Sequence, residues 1–170
     1  MKSKVSKKDF PLLVRQHAAA VIDLTARLLP DRLEAEEVAQ DAFVKAFQHL
    51  ASFQGTSSFL TWVQRIAYHE ALDHLRRRQP YMVDISEIKA EPEDEDFSTG
   101  REERIQLMEE AVDHLPVDDQ LLLHLYYYND QPLREIAYIM DAEPNTLSQR
   151  LRRIRKRLMV MIEQKENEHV

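Results

Sequence analysis

The amino-acid sequence predicts an all-α chain, two small helical bundles joined by a flexible acidic linker. Three observations carry that expectation. Glycine occurs only twice in 170 residues, at Gly55 and Gly100, so there is little from which to build tight-turned strand pairs. Apolar residues recur at three- and four-residue intervals over most of the chain, which is the pattern of one buried helix face. That periodicity stops over residues 79–102, where Pro80, Pro92, the acidic run from Glu91 to Asp96 and Ser98-Thr99-Gly100 favour an extended segment. The expected divisions are therefore a helical domain over 1–78, a linker over 79–102 and a second helical domain over 103–170.

Each element has its own warrant. Phe10, Leu13, Val14, Val21, Leu24 and Leu28 share one helix face, and Pro30-Asp31 ends that helix. A second helix is expected from Leu33 to Leu50, with Ala35, Val38, Ala39, Ala42, Phe43, Ala46, Phe47 and Leu50 as its apolar stripe. Glu34, Glu36 and Glu37 lie in its first turn, where the helix dipole favours negative charge. Residues 51–58 read as a loop around Gly55, ending in a serine suited to cap the next helix. That helix, from Phe59 to Arg78, carries Phe59, Trp62, Val63, Ile66, Ala67 and Leu75, and Pro80 prevents its continuation. Beyond the linker, helices are expected over 103–115, 118–128, 132–140 and 144–162.

Composition excludes several classes of function. With no cysteine there are neither disulfides nor thiolate metal sites, which fits a reducing compartment. No apolar run approaches the ~20 residues that span a bilayer. The basic stretch Met1 to Lys8 leads to no signal-peptide core, so a cytoplasmic location is expected. His69 and His74 stand five apart, about 140° around a helix rather than the ~40° of a zinc-protease pair. No glycine-rich phosphate loop or nucleophile grouping is visible, so neither an enzyme nor a cofactor is expected. The net charge of −7 argues against general coating of nucleic acid. The base is instead local, at Arg76–Arg78 and Arg150–Arg157.

The strongest local motif is PLREIAYIMDAEPNTLSQRLRRIRKRL, residues 132–158, which reads as a helix-turn-helix. Leu133, Ile136, Ala137 and Met140 give the first helix an inward face. Asp141-Ala142-Glu143 forms the turn, and Pro144 suits the first position of the next helix. Such a turn commonly carries glycine; aspartate tolerates the left-handed geometry better than most residues. Leu147, Leu151, Ile154 and Leu158 face inward from the second helix. Asn145, Thr146, Ser148 and Gln149 lie near its N-terminus, the end that meets base edges in this motif. Arg150, Arg152, Arg153, Arg155, Lys156 and Arg157 follow with no acid among them, spread so widely around the helix that several must face phosphates.

AEEVAQDAFVKAF (35–47) followed by FQGTSSFLTWVQRIAYHEALDHLRRR (53–78) resembles the core-binding and promoter-melting region of sigma factors. LLLHLYYYNDQPLREIAYIM before the basic helix is similar to the C-terminal promoter-binding region of the extracytoplasmic-function group of the sigma-70 family. The resemblance implies that 33–50 docks on the clamp helices of the largest subunit of core RNA polymerase through Glu36, Glu37, Gln40 and Asp41. Read without it, those acids simply favour the helix start. It implies that Phe53, Gln54, Arg65, Tyr68, His69, Arg76 and Arg77 meet the unpaired minus-ten strand. Phe53 and Trp62 equally suit core packing. His69 stands where the family often has asparagine, which bears on the minus-ten sequence read. Asn145, Thr146, Ser148, Gln149, Arg150, Arg153 and Arg157 would read the minus-thirty-five duplex, with other surfaces of the second module meeting the polymerase flap. An anti-sigma factor would be a further partner. The alternative, a dimeric helix-turn-helix regulator acting without polymerase, leaves residues 33–78 without a role. A sigma mimic would have no need of the basic helix.

Overall fold

The computed structural model describes residues 4–78 and 100–168, and every regular element among them is helical. The N-terminal half has α1 (Phe10–Leu28), α2 (Arg32–Gln48), a short 3-10 turn (Leu50–Ser52) and α3 (Phe59–Arg78). The C-terminal half has α4 (Gly100–Asp113), α5 (Val117–Leu123), a π turn (His124–Tyr128), α6 (Leu133–Met140) and α7 (Pro144–Glu168). The acidic linker expected over 79–102 lies outside the described residues except at its end, where α4 already begins at Gly100.

The helix ends follow local chemistry. The Asp31 carboxylate accepts from the Leu33 N–H at 2.8 Å and caps α2. Ser58 Oγ accepts from the Thr61 N–H at 3.1 Å and caps α3 as expected. α2 stops at Gln48, short of the expected Leu50, and Leu50 is buried from the 3-10 turn instead. The helix expected over 118–128 becomes α5 plus the π turn, closed by the Asn129 N–H donating to the His124 carbonyl. α7 runs on to Glu168, past the expected 162.

Three helices make the N-terminal part of the core. Val21, Leu24 and Leu28 of α1 pack against Ala35, Val38, Ala39, Ala42 and Ala46 of α2 and Val63, Ala67 and Ala71 of α3. The small alanines let the backbones approach closely. Thr25 is fully buried, and its hydroxyl donates to the Ala35 carbonyl at 2.7 Å, tying α1 to the start of α2. Phe47 departs from the expected buried stripe: it is 43% exposed and sits edge-on to Phe10, 5.1 Å between centroids. It lies at the end of α2, past the point where α3 covers that face.

The same cluster continues through the C-terminal half with Ala111 and Leu115 of α4, Leu121, Leu122 and Leu125, Ile136, Ala137, Ile139 and Met140 of α6, and Leu147, Leu151, Ile154 and Leu158 of α7. The inward faces of the expected helix-turn-helix are thus the observed ones. Between α6 and α7 Asp141 adopts the left-handed conformation, φ 55° and ψ 50°, and the Ala142 N–H donates to the Ala137 carbonyl. Asp141→Val should cost about 1–3 kcal/mol more than Asp141→Gly, because only the β-branched side chain clashes at positive φ. Thermal unfolding of both variants checks this. Equal melting temperatures would show that the turn relaxes elsewhere.

The two halves do not stand apart. α6 packs on α3 and α5 packs on α1. The buried apolar residues of both halves form one continuous cluster, and polar contacts across the junction decide which candidate residues are free.

Candidate functional site

Three surfaces carry the residues singled out in the sequence. The first is the outer face of α2. Glu37, Gln40 and Asp41 are exposed there, and they share a helical stripe with Leu33, which is 75% exposed, and Val44. Glu36 lies at the side of this stripe and is paired with Arg32, 3.1 Å away. The inner face of α2 is pinned by the Lys45–Glu70 ion pair and by His74 against Glu34 at 3.7 Å, both to α3. The face is therefore rigidly held, and it combines acids with apolar side chains. Sequence reading found the acids and missed Leu33 and Val44, although their spacing from Gln40 places them on the same face.

The second surface is the 51–58 loop with α3. Phe53 is half-buried, 4.9 Å from the Trp62 ring centroid and edge-on to Phe59 at 6.1 Å. Both rings of the open question therefore anchor the loop on α3, with Trp62 only partly covered. Gln54, Arg76 and Arg77 are exposed. Arg76 reaches Asp73 at 3.6 Å, and the Arg77 guanidinium donates to the Asp73 carbonyl at 3.4 Å. His69 is half-buried, its ring 5.5 Å from that of Tyr68.

Tyr68 and Arg65 face the second module. Tyr68 is 4% exposed, and its hydroxyl donates to the Asp118 carboxylate of α5 at 3.2 Å. Burial first, and then the Asp118 charge, push its phenol well above the usual tyrosine range. Arg65 donates to the Tyr138 carbonyl at 2.6 Å, lies over the Tyr138 ring at 4.6 Å and approaches Asp141 at 3.5 Å. Both residues are engaged by the second module, a relation that no local spacing could disclose.

The third surface is α7. Asn145, Thr146, Ser148 and Gln149 are exposed at its N-terminal end, and Arg152, Arg153, Arg155, Lys156 and Arg157 are exposed beyond them. Arg150 differs: its guanidinium is held by Asp119 of α5 at 2.5 Å, both side chains largely covered. A cleft of about 310 Å³ opens beside this pair, lined by Asp119, Arg150, Arg153, Ile154 and Arg157. Arg155 donates to the Tyr127 hydroxyl at 2.7 Å and lies 5.6 Å from its ring centroid. Asp119 and Tyr127 thus brace the basic helix from α5 and the π turn. Sequence reading missed both, since each lies far along the chain from its partner.

Comparison with known proteins agrees with this layout. The Sigma-70 region 2 family profile matches residues 13–81, and the Sigma-70 region 4 profile matches residues 105–158. The RNA polymerase sigma-H factor of Pseudomonas aeruginosa is 32% identical over 162 residues, covering 88% of this chain and 84% of its own. The ECF RNA polymerase sigma-E factor of Escherichia coli K12 is 32% identical over 169 residues, covering 90% of this chain and 86% of its own. Among solved structures, the sigma factor RpoE in complex with the anti-sigma factor NepR from Bartonella quintana shares the fold, with a TM-score of 0.67, 21% identity and coverage of 92% of this chain and 98% of that one. CnrH in complex with the cytosolic domain of CnrY gives a TM-score of 0.63 at 18% identity, over 93% of this chain and 90% of that one. Two matched regions in order, and extended identity with full-length relatives, establish that the chain belongs to the extracytoplasmic-function group of the sigma-70 family and is an RNA polymerase sigma factor.

Proposed function

We propose that this sigma factor divides its work among the three surfaces. The outer stripe of α2, with Glu37, Gln40 and Asp41 flanked by Leu33 and Val44, docks on the clamp helices of the largest subunit of core RNA polymerase. Glu36 borders that contact through its pair with Arg32. The loop from Phe53 and Gln54 to α3, with Arg65, Tyr68, His69, Arg76 and Arg77, receives the unpaired minus-ten strand. Cations take phosphates and aromatic edges take bases. Asn145, Thr146, Ser148 and Gln149 read the minus-thirty-five duplex, while Arg153 and Arg157 hold its phosphates. Arg150, paired with Asp119, orients the helix at that contact. The observation that carries this reading is the exposed basic stretch Arg152–Arg157 of α7, with no acid in it, standing in one chain with the acidic, exposed stripe of α2.

Because two modules touch two promoter elements, the second contact becomes effectively intramolecular. Capture of bases that have left the stack shifts the duplex towards melting, so the factor needs no covalent chemistry and no cofactor. It works in the cytoplasm, and the second module also meets the polymerase flap. An anti-sigma factor is a further partner, a reading supported by a similar fold solved with the anti-sigma factor NepR. The dimeric regulator is not favoured, because region 2 and the α2 stripe would have no role in it.

The test is run-off transcription from genomic fragments with core polymerase, with and without this protein. Discrete start sites that require it support the reading, and absence of any with a competent core would overturn it. At the residue level, Arg153→Ala should reduce the salt slope of minus-thirty-five binding by about 0.9, one released counterion. An unchanged slope, read by anisotropy titrations at several salt concentrations, would remove Arg153 from the phosphate contacts.

A further inference from the structure

Phe47 is the aromatic side chain of α2 that the N-terminal bundle leaves uncovered, 43% exposed. Its surroundings differ in charge from the rest of that helix. The Lys7 ammonium stands over its ring, 5.8 Å from the centroid, and Lys4 and Lys8 are exposed in the same short segment before α1. The carboxylate of that segment, Asp9, accepts from the Ser6 hydroxyl at 2.8 Å. No aspartate or glutamate occurs between Asp41 and Glu70, and Asp9 is the only one before Asp23, in a chain that holds 30 acids. The bundle brings these two acid-poor stretches to one end. Phe47 meets Phe10 at 5.1 Å, Phe10 meets Phe59 at 5.8 Å and Phe59 meets Phe53 at 6.1 Å, all three pairs edge to face. Phe53 roots the 51–58 loop, so Phe47 and Lys7 lie just beyond the loop end of the strand surface proposed for α3.

We infer that Phe47 with Lys4, Lys7 and Lys8 is a further single-strand site, taking the nucleotides that adjoin the minus-ten element where the strand leaves the 51–58 loop. A single strand is held by a ring on which a base can stack and by cations for its phosphates, and this patch exposes both. Every base has a π face, so the site adds affinity without reading sequence. Core polymerase is the competing occupant, because Phe47 continues the stripe of Gln40 and Val44 along α2. Charge decides against it. The stripe is acidic at Glu37 and Asp41, which suits a basic protein surface. At Phe47 the sign reverses, and three lysines repel such a surface while attracting phosphates. The inference rests on the strand-binding role proposed for the loop and α3.

The experiment uses the full-length chain bound to core polymerase. One probe is a single strand carrying only the minus-ten element mapped by run-off transcription. The others are the same strand extended by about four thymidines at its 5′ end or at its 3′ end, within the reach of one single-strand module. One of the two extensions should tighten binding by about ten-fold. Lys4→Ala with Lys7→Ala and Lys8→Ala should remove most of that gain and lower the salt slope by about 0.7 for each lysine that holds a phosphate. Phe47→Ala should remove the gain with the slope unchanged, and Phe47→Tyr, which keeps the ring, should retain it. Affinity for the unextended strand and for core polymerase should stay native in every variant. No gain from either extension, a gain that survives the lysine variant, or a loss of core affinity, which would give the patch to polymerase, overturns the site. The lysine variant removes nothing from the core, so it decides even where Phe47→Ala destabilises the fold. Failure of the underlying strand-binding role reads differently: Arg76→Ala with Arg77→Ala would then leave binding of the unextended strand unchanged.

Discussion

Leu151→Ala should destabilise the C-terminal module by about 2–5 kcal/mol, enough to unfold a substantial part of it near physiological temperature. Leu151 is 2% exposed and sits midway along the inward face of α7, within the same core as Ile136, Ile139 and Leu147. Truncating its isobutyl side chain to a methyl leaves a cavity that the neighbouring branched side chains cannot fill without leaving their rotamers. Duplex binding should fall in step with the folded fraction. Leu151→Met, which keeps the volume, should cost less than about 1.5 kcal/mol and preserve binding. Thermal unfolding followed by circular dichroism separates the two variants. A Leu151→Ala melting temperature within a degree of native would show that this core is not what holds the basic helix in place.

Combining Gln40→Ala, Asp41→Ala and Val44→Ala should weaken binding to core polymerase by a hundred-fold or more, if one or two of them reach the ~2 kcal/mol typical of interface hot spots. All three are exposed on the outer face of α2, opposite the alanines that pack into the core. The melting temperature and the duplex affinity of the second module should therefore stay near native. That contrast distinguishes lost docking from lost folding. Competition with the native factor for core polymerase measures it. Unaltered competition by a folded triple variant would move the docking surface elsewhere on the first module.

The two outcomes depend on different properties of the chain. Leu151 acts through burial, which its spacing from Leu147, Ile154 and Leu158 already announced. The α2 stripe acts through exposure, which the sequence announced only in part. Glu37, Gln40 and Asp41 were legible as polar positions opposite the alanines. Val44 and Leu33 read as neutral apolar residues until α1 and α3 were seen to cover the other side. Phe47 was assigned to the core because its spacing fits the stripe, but a stripe is buried only along the length its neighbours cover.

By itself the sequence determined the helices, their ends to within a few residues in most cases, the left-handed aspartate turn, most of the inward faces and the basic stretch Arg150–Arg157. These depend on residues three or four apart, on caps within one turn and on composition, all local quantities. Only the tertiary structure decided which candidate residues are free. Tyr68 meets Asp118, Arg65 meets Tyr138 and Asp141, Arg150 meets Asp119, and His124 meets Asp23. Each partner lies many residues away, on an element whose position is set by packing of the whole molecule. A polar side chain gives no local sign of whether water, nucleic acid or another part of its own chain will satisfy it. That choice is made only when the elements come together.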